Sequence, residues 1–304
     1  MVVVAAIDCG SNSTRLLISE VNNGKLKKLF KTHKVTKTSQ GLQESGRISN
    51  DSKKQLFNTL RNYLKLIKEY EADHILCIGT AAFRDAENSN EIIEEIKQKF
   101  DIDLRIITGE EEGQITSVGV LSDSEINNNL LIIDIGGRST EIIYDGQNKI
   151  NVNSTNVGVV TLNESFLKQN PVISDEEEEA IKFINSNLDF LDDFSNRTLI
   201  GVAGTFTSIA SIFLKQKKYD DEEIHSTLID FDWINSFYNS IKLMTVSQII
   251  GKHSSLDPKR GQTLTSGVLL ALSLMKKFKI NELKVSKSDI LEGLILKNLS
   301  LIHI

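Results

Sequence analysis

The feature that most constrains this chain is a stretch that it carries twice. Asp8-Cys9-Gly10-Ser11-Asn12-Ser13-Thr14-Arg15 and Asp134-Ile135-Gly136-Gly137-Arg138-Ser139-Thr140-Glu141 align without a gap as Asp-x-Gly-small-x-Ser-Thr-x. Each copy follows an apolar run, residues 2–7 or 130–133, rich in the Val and Ile that form buried strands. Each also leads into aliphatic residues, so the Gly-Ser stretch reads as a hairpin turn between two strands. One such turn is ordinary; two in the same context predict a duplicated architecture. Glycine lets the backbone approach a ligand, and exposed N–H groups beside Ser and Thr hydroxyls suit phosphate oxygens. An Asp at a strand end can hold a hydrated divalent cation. Two such loops facing each other would clamp a phosphate chain.

The rest of the chain repeats a second element. His74-Ile75-Leu76-Cys77-Ile78 runs into Gly79-Thr80-Ala81-Ala82-Phe83-Arg84, and Thr198-Leu199-Ile200-Gly201-Val202-Ala203 runs into Gly204-Thr205. Both are strand-to-glycine turns at a strand's carboxyl end, where α/β proteins build sites. Arg84 there could grip phosphate in a bidentate way. Thr108-Gly109-Glu110-Glu111-Glu112 opens a helix with a capping-box pattern. Successive helical residues point about 100° apart, so the three glutamates cannot share one task, and one could face a site as a base. The first three strands of each half are expected to form antiparallel meanders, followed by parallel strands with crossover helices. Residues 121–129, rich in Asn, Asp and Ser, read as a connector and hinge. The expectation is therefore an α/β clamshell with an interdomain cleft. Domain I would take residues 1–121 plus 288–304, and domain II residues 122–287.

Six lysines between Lys25 and Lys37 read as a solvated strand face or as an electropositive rim. The acidic run 175–179 reads as a solvated first turn of a helix. The five His show no metal-ligand spacing, and two Cys exclude a disulfide framework. No basic leader or membrane-length apolar run occurs, so the expectation is a cytoplasmic protein with no membrane partner. The net charge of −6 argues against nucleic acid as a ligand.

These motifs, taken in order, resemble those of the exopolyphosphatase and guanosine pentaphosphate phosphohydrolase family. That family lies within the actin, sugar-kinase and chaperone-ATPase superfamily with its ribonuclease H-like domains. The resemblance rests on Ala6-Ile7-Asp8 through Ser13, Gly79 through Arg84, Gly109 through Glu112, Asp134 through Gly137, Ser139-Thr140-Glu141, and Gly204-Thr205. It implies Mg2+-dependent release of terminal phosphate from inorganic polyphosphate, or conversion of guanosine pentaphosphate to the tetraphosphate, by a homodimer. It makes Glu112 the residue that activates water, with Glu141 as a second catalytic carboxylate. Asp8, Asp134 and Glu141 become the metal set. Ser11, Asn12, Ser13, Thr14, Arg15, Thr80, Arg84, Gly136, Gly137, Arg138, Ser139, Thr140, Gly204 and Thr205 become the phosphate contacts. The resemblance also sends the final helix, about residues 288–301, back to the first domain. The sequence departs from the family at Arg138, where a third glycine is usual, and at Thr161 and Leu291, where arginines are usual. Arg138 is read as a relocated phosphate contact, or else as a side chain that partly fills the site. Two other functions compete: a non-catalytic sensor of polyphosphate or guanosine alarmones, and a nucleotide-dependent kinase or ATPase.

Overall fold

The computed structural model describes residues 2–122, 129–147, 149–189 and 194–299. Contacts divide the chain into two compact units, Met1–Ser124 with Ser288–Ile304, and Glu125–Lys287. Most of the expected connector, residues 123–128, lies outside the described residues, as does the end of the expected final helix from residue 300.

The first unit begins with strands β1 (Val2–Cys9), β2 (Ser13–Asn22) and β3 (Lys25–Val35), followed by helices α1 (Leu42–Ser45) and α2 (Asn50–Glu69). Next come β4 (His74–Gly79), α3 (Ala81–Asp85), α4 (Ser89–Phe100), β5 (Leu104–Ile106) and α5 (Gly109–Ser122). Its sheet runs β3-β2-β1-β4-β5, with β1 antiparallel to β2 and parallel to β4. Asn23 and Gly24 both take positive φ in the β2–β3 turn, the conformation that an Asn-Gly pair favours in a tight hairpin. The α1 turn falls where the sequence reads as loop.

Side chains alternate across a strand, and β1 uses both faces. Ala5, Ile7 and Cys9 enter a core formed with α2 and α4. Val4 and Ala6 enter a second core with Ile115 of α5 and with Ile290 and Leu294 near the chain's end. By the same alternation Asp8, and Arg15 opposite it on β2, belong to this second face. The last helix of the chain therefore covers the face that carries the charged pair.

The second unit starts with β6 (Leu130–Ile135), β7 (Thr140–Asp145) and β8 (Ile150–Thr155), then α6 (Val159–Ser165) and α7 (Ser174–Leu188). It continues with β9 (Thr198–Val202), α8 (Ala203–Phe213), α9 (Asp221–Ile224), β10 (Leu228–Asp230), α10 (Phe231–Ile241) and α11 (Val246–Lys252). A 3-10 turn (Pro258–Arg260), α12 (Gly261–Phe278) and β11 (Glu282–Val285) complete it, and α13 (Ile290–Lys297) rejoins the first unit. The sheet order is β10-β11-β9-β6-β7-β8. Strands β10 and β11 fall where the sequence shows only helical periodicity. They have three and four residues, too short for an alternating pattern to register.

Asn88 holds the N-cap position of α4 without a side-chain capping bond; its amide instead accepts from Ile48 N and donates to Ile48 O, tying two loops together. The position before α7 is Ile173, without a side-chain cap.

Helices α5 and α13 meet at backbone contact. A Cβ on Gly293 would lie 1.8 Å from Ile115 O, and one on Gly119 would lie 1.9 Å from Asp289 O. No rotamer relieves an overlap with a neighbouring carbonyl, so one helix must shift. Gly293→Ala is expected to destabilise the first unit by about 3 kcal/mol or more, measured by urea unfolding.

Candidate active site

The two duplicated loops share a hydrogen-bonding plan. Gly10 N donates to Ser13 O at 3.1 Å, and Gly136 N donates to Ser139 O at 2.9 Å, closing equivalent hairpins. In the first loop, Thr36 N and Lys37 N both donate to Asn12 O, and Ser39 N donates to Ser11 O. In the second, Val159 N donates to Gly136 O, while Val160 N and Thr161 N donate to Gly137 O. The carbonyls that would repel a phosphate are thus turned back and satisfied from behind. Among the described residues the Ser11, Asn12 and Gly137 amides take no partner, which suits an anion cradle.

Each loop is braced by its own unit. Behind the first, Ser52 Oγ on α2 donates to Lys37 O at 2.7 Å and Tyr63 Oη donates to Thr14 O at 2.8 Å. Behind the second, Gly158 packs so closely that a Cβ would lie 2.4 Å from Gly137 C and O. The side chains of Thr14 and Thr140 serve this bracing. Thr14 Oγ1 bonds Thr36 Oγ1 at 3.1 Å, and Thr140 Oγ1 donates to Val157 O at 2.6 Å. Their hydroxyls are directed into the fold; Ser11 and Ser139 are buried, and Asn12 and Ser13 are half-buried at the first tip.

Across each hairpin the paired positions carry different charge. Asp8 stands opposite Arg15, and Asp134 stands opposite Glu141. Arg15 donates from Nε and Nη2 to Asp8 Oδ2 at 2.8 and 2.7 Å, and from Nη1 to Asp289 Oδ2. Arg15 therefore lies between two buried carboxylates. Glu141 Oε1 accepts from Ser154 Oγ at 2.8 Å, and Asp134 and Glu141 are both buried. Asp8 is buried too, and its Oδ1 takes no hydrogen bond among the described residues.

The three glutamates of α5 divide as helical geometry requires. Glu110 accepts from Gln114, Glu111 pairs with Arg105, and Glu112 turns inward to Arg84 Nη1 at 2.8 Å. Arg84 also donates to Ile107 O at 2.9 Å, which holds its guanidinium against the turn after β5. Burial pushes the Glu112 carboxyl up to about 7, against the pull of Arg84, with a smaller upward push from Asp8. A carboxylate titrating near neutrality is suited to general-base work. Thr80 is buried and its carbonyl accepts from Phe83 N and Arg84 N, starting the short helix that carries Arg84.

In the second unit the Gly204 turn is tightly roofed. Arg260 Nη1 donates to Gly204 O at 2.8 Å, and a Cβ at Gly204 would fall 2.2 Å from that nitrogen. Ala203 just before it has φ +63°, a conformation uncommon for alanine. Thr205 packs its methyl against Gly267 of α12. Arg138 is half-buried at the second tip, Thr161 is buried in the first turn of α6, and Leu291 joins the apolar core under α13.

Sequence reasoning did not find Arg260, Asp289 or Ser154. Only Asp289 carried a readable signal, the Asp-x-x-Glu pattern of a capping box, which the structure forms with Glu292. Hard oxygen donors such as Asp8, Asp134 and Glu141 fit Mg2+ chemically. Among the described residues no three His, Cys, Asp or Glu converge as a ready metal cluster. Mg2+ prefers to leave most of its coordination sphere to water and phosphate, so a site with few protein oxygens suits it.

Residues 17–301 match the model of the Ppx/GppA phosphatase family. The chain is 32% identical to the bifunctional 3-dehydroquinate synthase/phosphatase of Fusobacterium nucleatum, over 96% of this chain and 46% of that protein. It thus spans about half the length of that relative. It is 26% identical to exopolyphosphatase 2 of Mycobacterium tuberculosis, over 96% of this chain and 97% of the relative. The crystal structure of the Aquifex aeolicus Ppx/GppA family member superposes with a TM-score of 0.83 at 26% identity, covering 100% of this chain and 99% of that one. The two mixed sheets are those of the duplicated actin-like fold. No helix among the described residues is long and apolar enough to cross a membrane.

The elevated Glu112 carboxyl has a consequence for stability. Glutamate ordinarily titrates near 4.5. Between that pH and about 7 the unfolded chain has lost the proton while the folded chain keeps it, so stability falls as pH rises and is level above. Glu112→Gln removes this penalty. The variant is expected to match the wild type near pH 4 and to exceed it by about 2–3 kcal/mol at pH 8, read by urea unfolding at both pH values.

Proposed function

The chain belongs to the Ppx/GppA phosphatase family, and from that premise we propose that it is a phosphoanhydride hydrolase. Its substrate would be the terminal phosphate of inorganic polyphosphate or of guanosine pentaphosphate. The observation that carries the reading is Glu112, a buried carboxylate titrating near neutrality, held by Arg84 in the unit that presents the first phosphate loop.

The proposed reaction needs few groups because phosphoryl transfer depends on positioning and charge neutralisation more than on covalent help. The amides of Ser11 and Asn12 bind non-bridging phosphate oxygens, and the second loop offers Gly137 N in the same way. Glu112 accepts a proton from a water aligned with the terminal phosphorus. The water oxygen bonds to phosphorus as the bridging P–O bond breaks, and the electrons of that bond stay on the departing phosphate. Bound Mg2+ would neutralise charge on the phosphate chain, and the carboxylates suited to hold it are Asp8 in the first unit and Asp134 and Glu141 in the second. Arg84 remains on Glu112 throughout, so it orients the base and keeps water's proton acceptor from swinging away.

The test is orthophosphate release by purified protein with Mg2+, comparing long-chain polyphosphate, guanosine pentaphosphate and ATP. Release from one of the first two, reduced in Glu112→Gln by about 10²–10⁴-fold in kcat with little change in KM, is the expected result. Unchanged kcat in that variant would remove Glu112 from the mechanism. With the wild type, kcat/KM is expected to rise with pH and level off above about 7, as the base loses its proton.

A further inference from the structure

Arg15 lies between Asp8 and Asp289 and bonds both. The guanidinium gives its Nε–Nη2 edge to Asp8 Oδ2 and its Nη1 to Asp289 Oδ2. Nearby, Lys31 Nζ on β3 meets Glu292 Oε1 at 2.8 Å. Three carboxylates, Asp8, Asp289 and Glu292, thus meet two cations, Arg15 and Lys31. Of the oxygens in this group, Asp8 Oδ1 is buried without a hydrogen bond among the described residues. Asp8 is only 4% exposed, so water cannot screen that charge freely.

We propose that Asp289 is a positioning residue: by sharing the Arg15 guanidinium with Asp8, it keeps Asp8 Oδ1 oriented and its surroundings negative, which favours binding of a divalent cation. The inference rests on the reading of Asp8 as a cation ligand. Without the Asp289 charge, the Arg15 guanidinium is offset less, and an approaching cation meets a less negative surrounding. The helix cap is a separate duty of the same side chain. Asp289 Oδ1 accepts from Leu291 N at 3.1 Å, and Asp289 N donates to Glu292 Oε2 at 2.9 Å. Asn and Ser are also good caps, so neutral variants of this kind remove the charge while leaving α13 a means to start.

The experiment is a Mn2+ titration of the full chain, with free Mn2+ followed by electron paramagnetic resonance, on wild type, Asp289→Asn, Asp289→Ser and Asp8→Asn. Both Asp289 variants are expected to bind Mn2+ roughly tenfold more weakly than wild type, with melting temperatures close to it. Wild-type affinity in a folded Asp289→Asn or Asp289→Ser protein, while Asp8→Asn binds more weakly, overturns the role of Asp289 alone. Wild-type affinity in Asp8→Asn overturns the cation reading of Asp8 and this inference with it. A KM for the phosphate chain that does not rise in Asp289→Asn, beside a weakened Mn2+ affinity, supports action through Asp8 instead of loss of a direct substrate contact.

Discussion

The site depends on how the carbonyl oxygens of two glycine hairpins are disposed of. A tight turn exposes both amides and carbonyls, and an anion can approach only if the carbonyls point elsewhere. Here each loop has its carbonyls bound from behind, by residues 36–39 in one unit and by residues 159–161 in the other. The backing segments share no sequence; they satisfy one pair of equivalent carbonyls, Ser11 O and Gly137 O, and differ at the second, which is Asn12 O in one loop and Gly136 O in the other. Tyr63 and Ser52 extend the first bracing into α2, and Gly158 brings the second segment close enough to reach. A substitution in these backing elements would disturb the loops without touching their exposed amides.

The same sheet positions the charged groups by parity. In β1, odd-numbered side chains from Ala5 to Cys9 fill one core and even-numbered ones fill the other. Asp8 continues the even series, so it falls on the face covered by α5 and α13. Arg15 follows because it pairs with Asp8 across the hairpin. The close crossing of Gly119 and Gly293 then brings α13 down onto α5, which lets Asp289 reach Arg15. One unit thereby joins residues from the start and the end of the chain.

Duplication has not produced identical halves. The position opposite the strand-end aspartate is Arg15 in one loop and Glu141 in the other. The first pair joins a carboxylate to a guanidinium, and the second sets two carboxyl side chains opposite each other.

The sequence alone determined the strand–turn–strand units, their duplication and the helix that begins near Gly109. These are local matters: alternation, glycine and capping residues act over a few positions, and no distant partner is needed to read them. It also marked Asp8, Asp134 and the glutamates of α5 as candidates. Only the tertiary structure decided that Glu112 faces Arg84 while Glu110 and Glu111 face outward, because three adjacent acids have equal claims until a core defines the inside. Only the fold turned the hydroxyls of Thr14 and Thr140 inward and gave Arg15 two carboxylate partners. The second of these, Asp289, lies 274 residues away, and no spacing rule reaches that far. Strands β10 and β11 were silent for a related reason: a strand of three or four residues is made by the neighbours that pair with it.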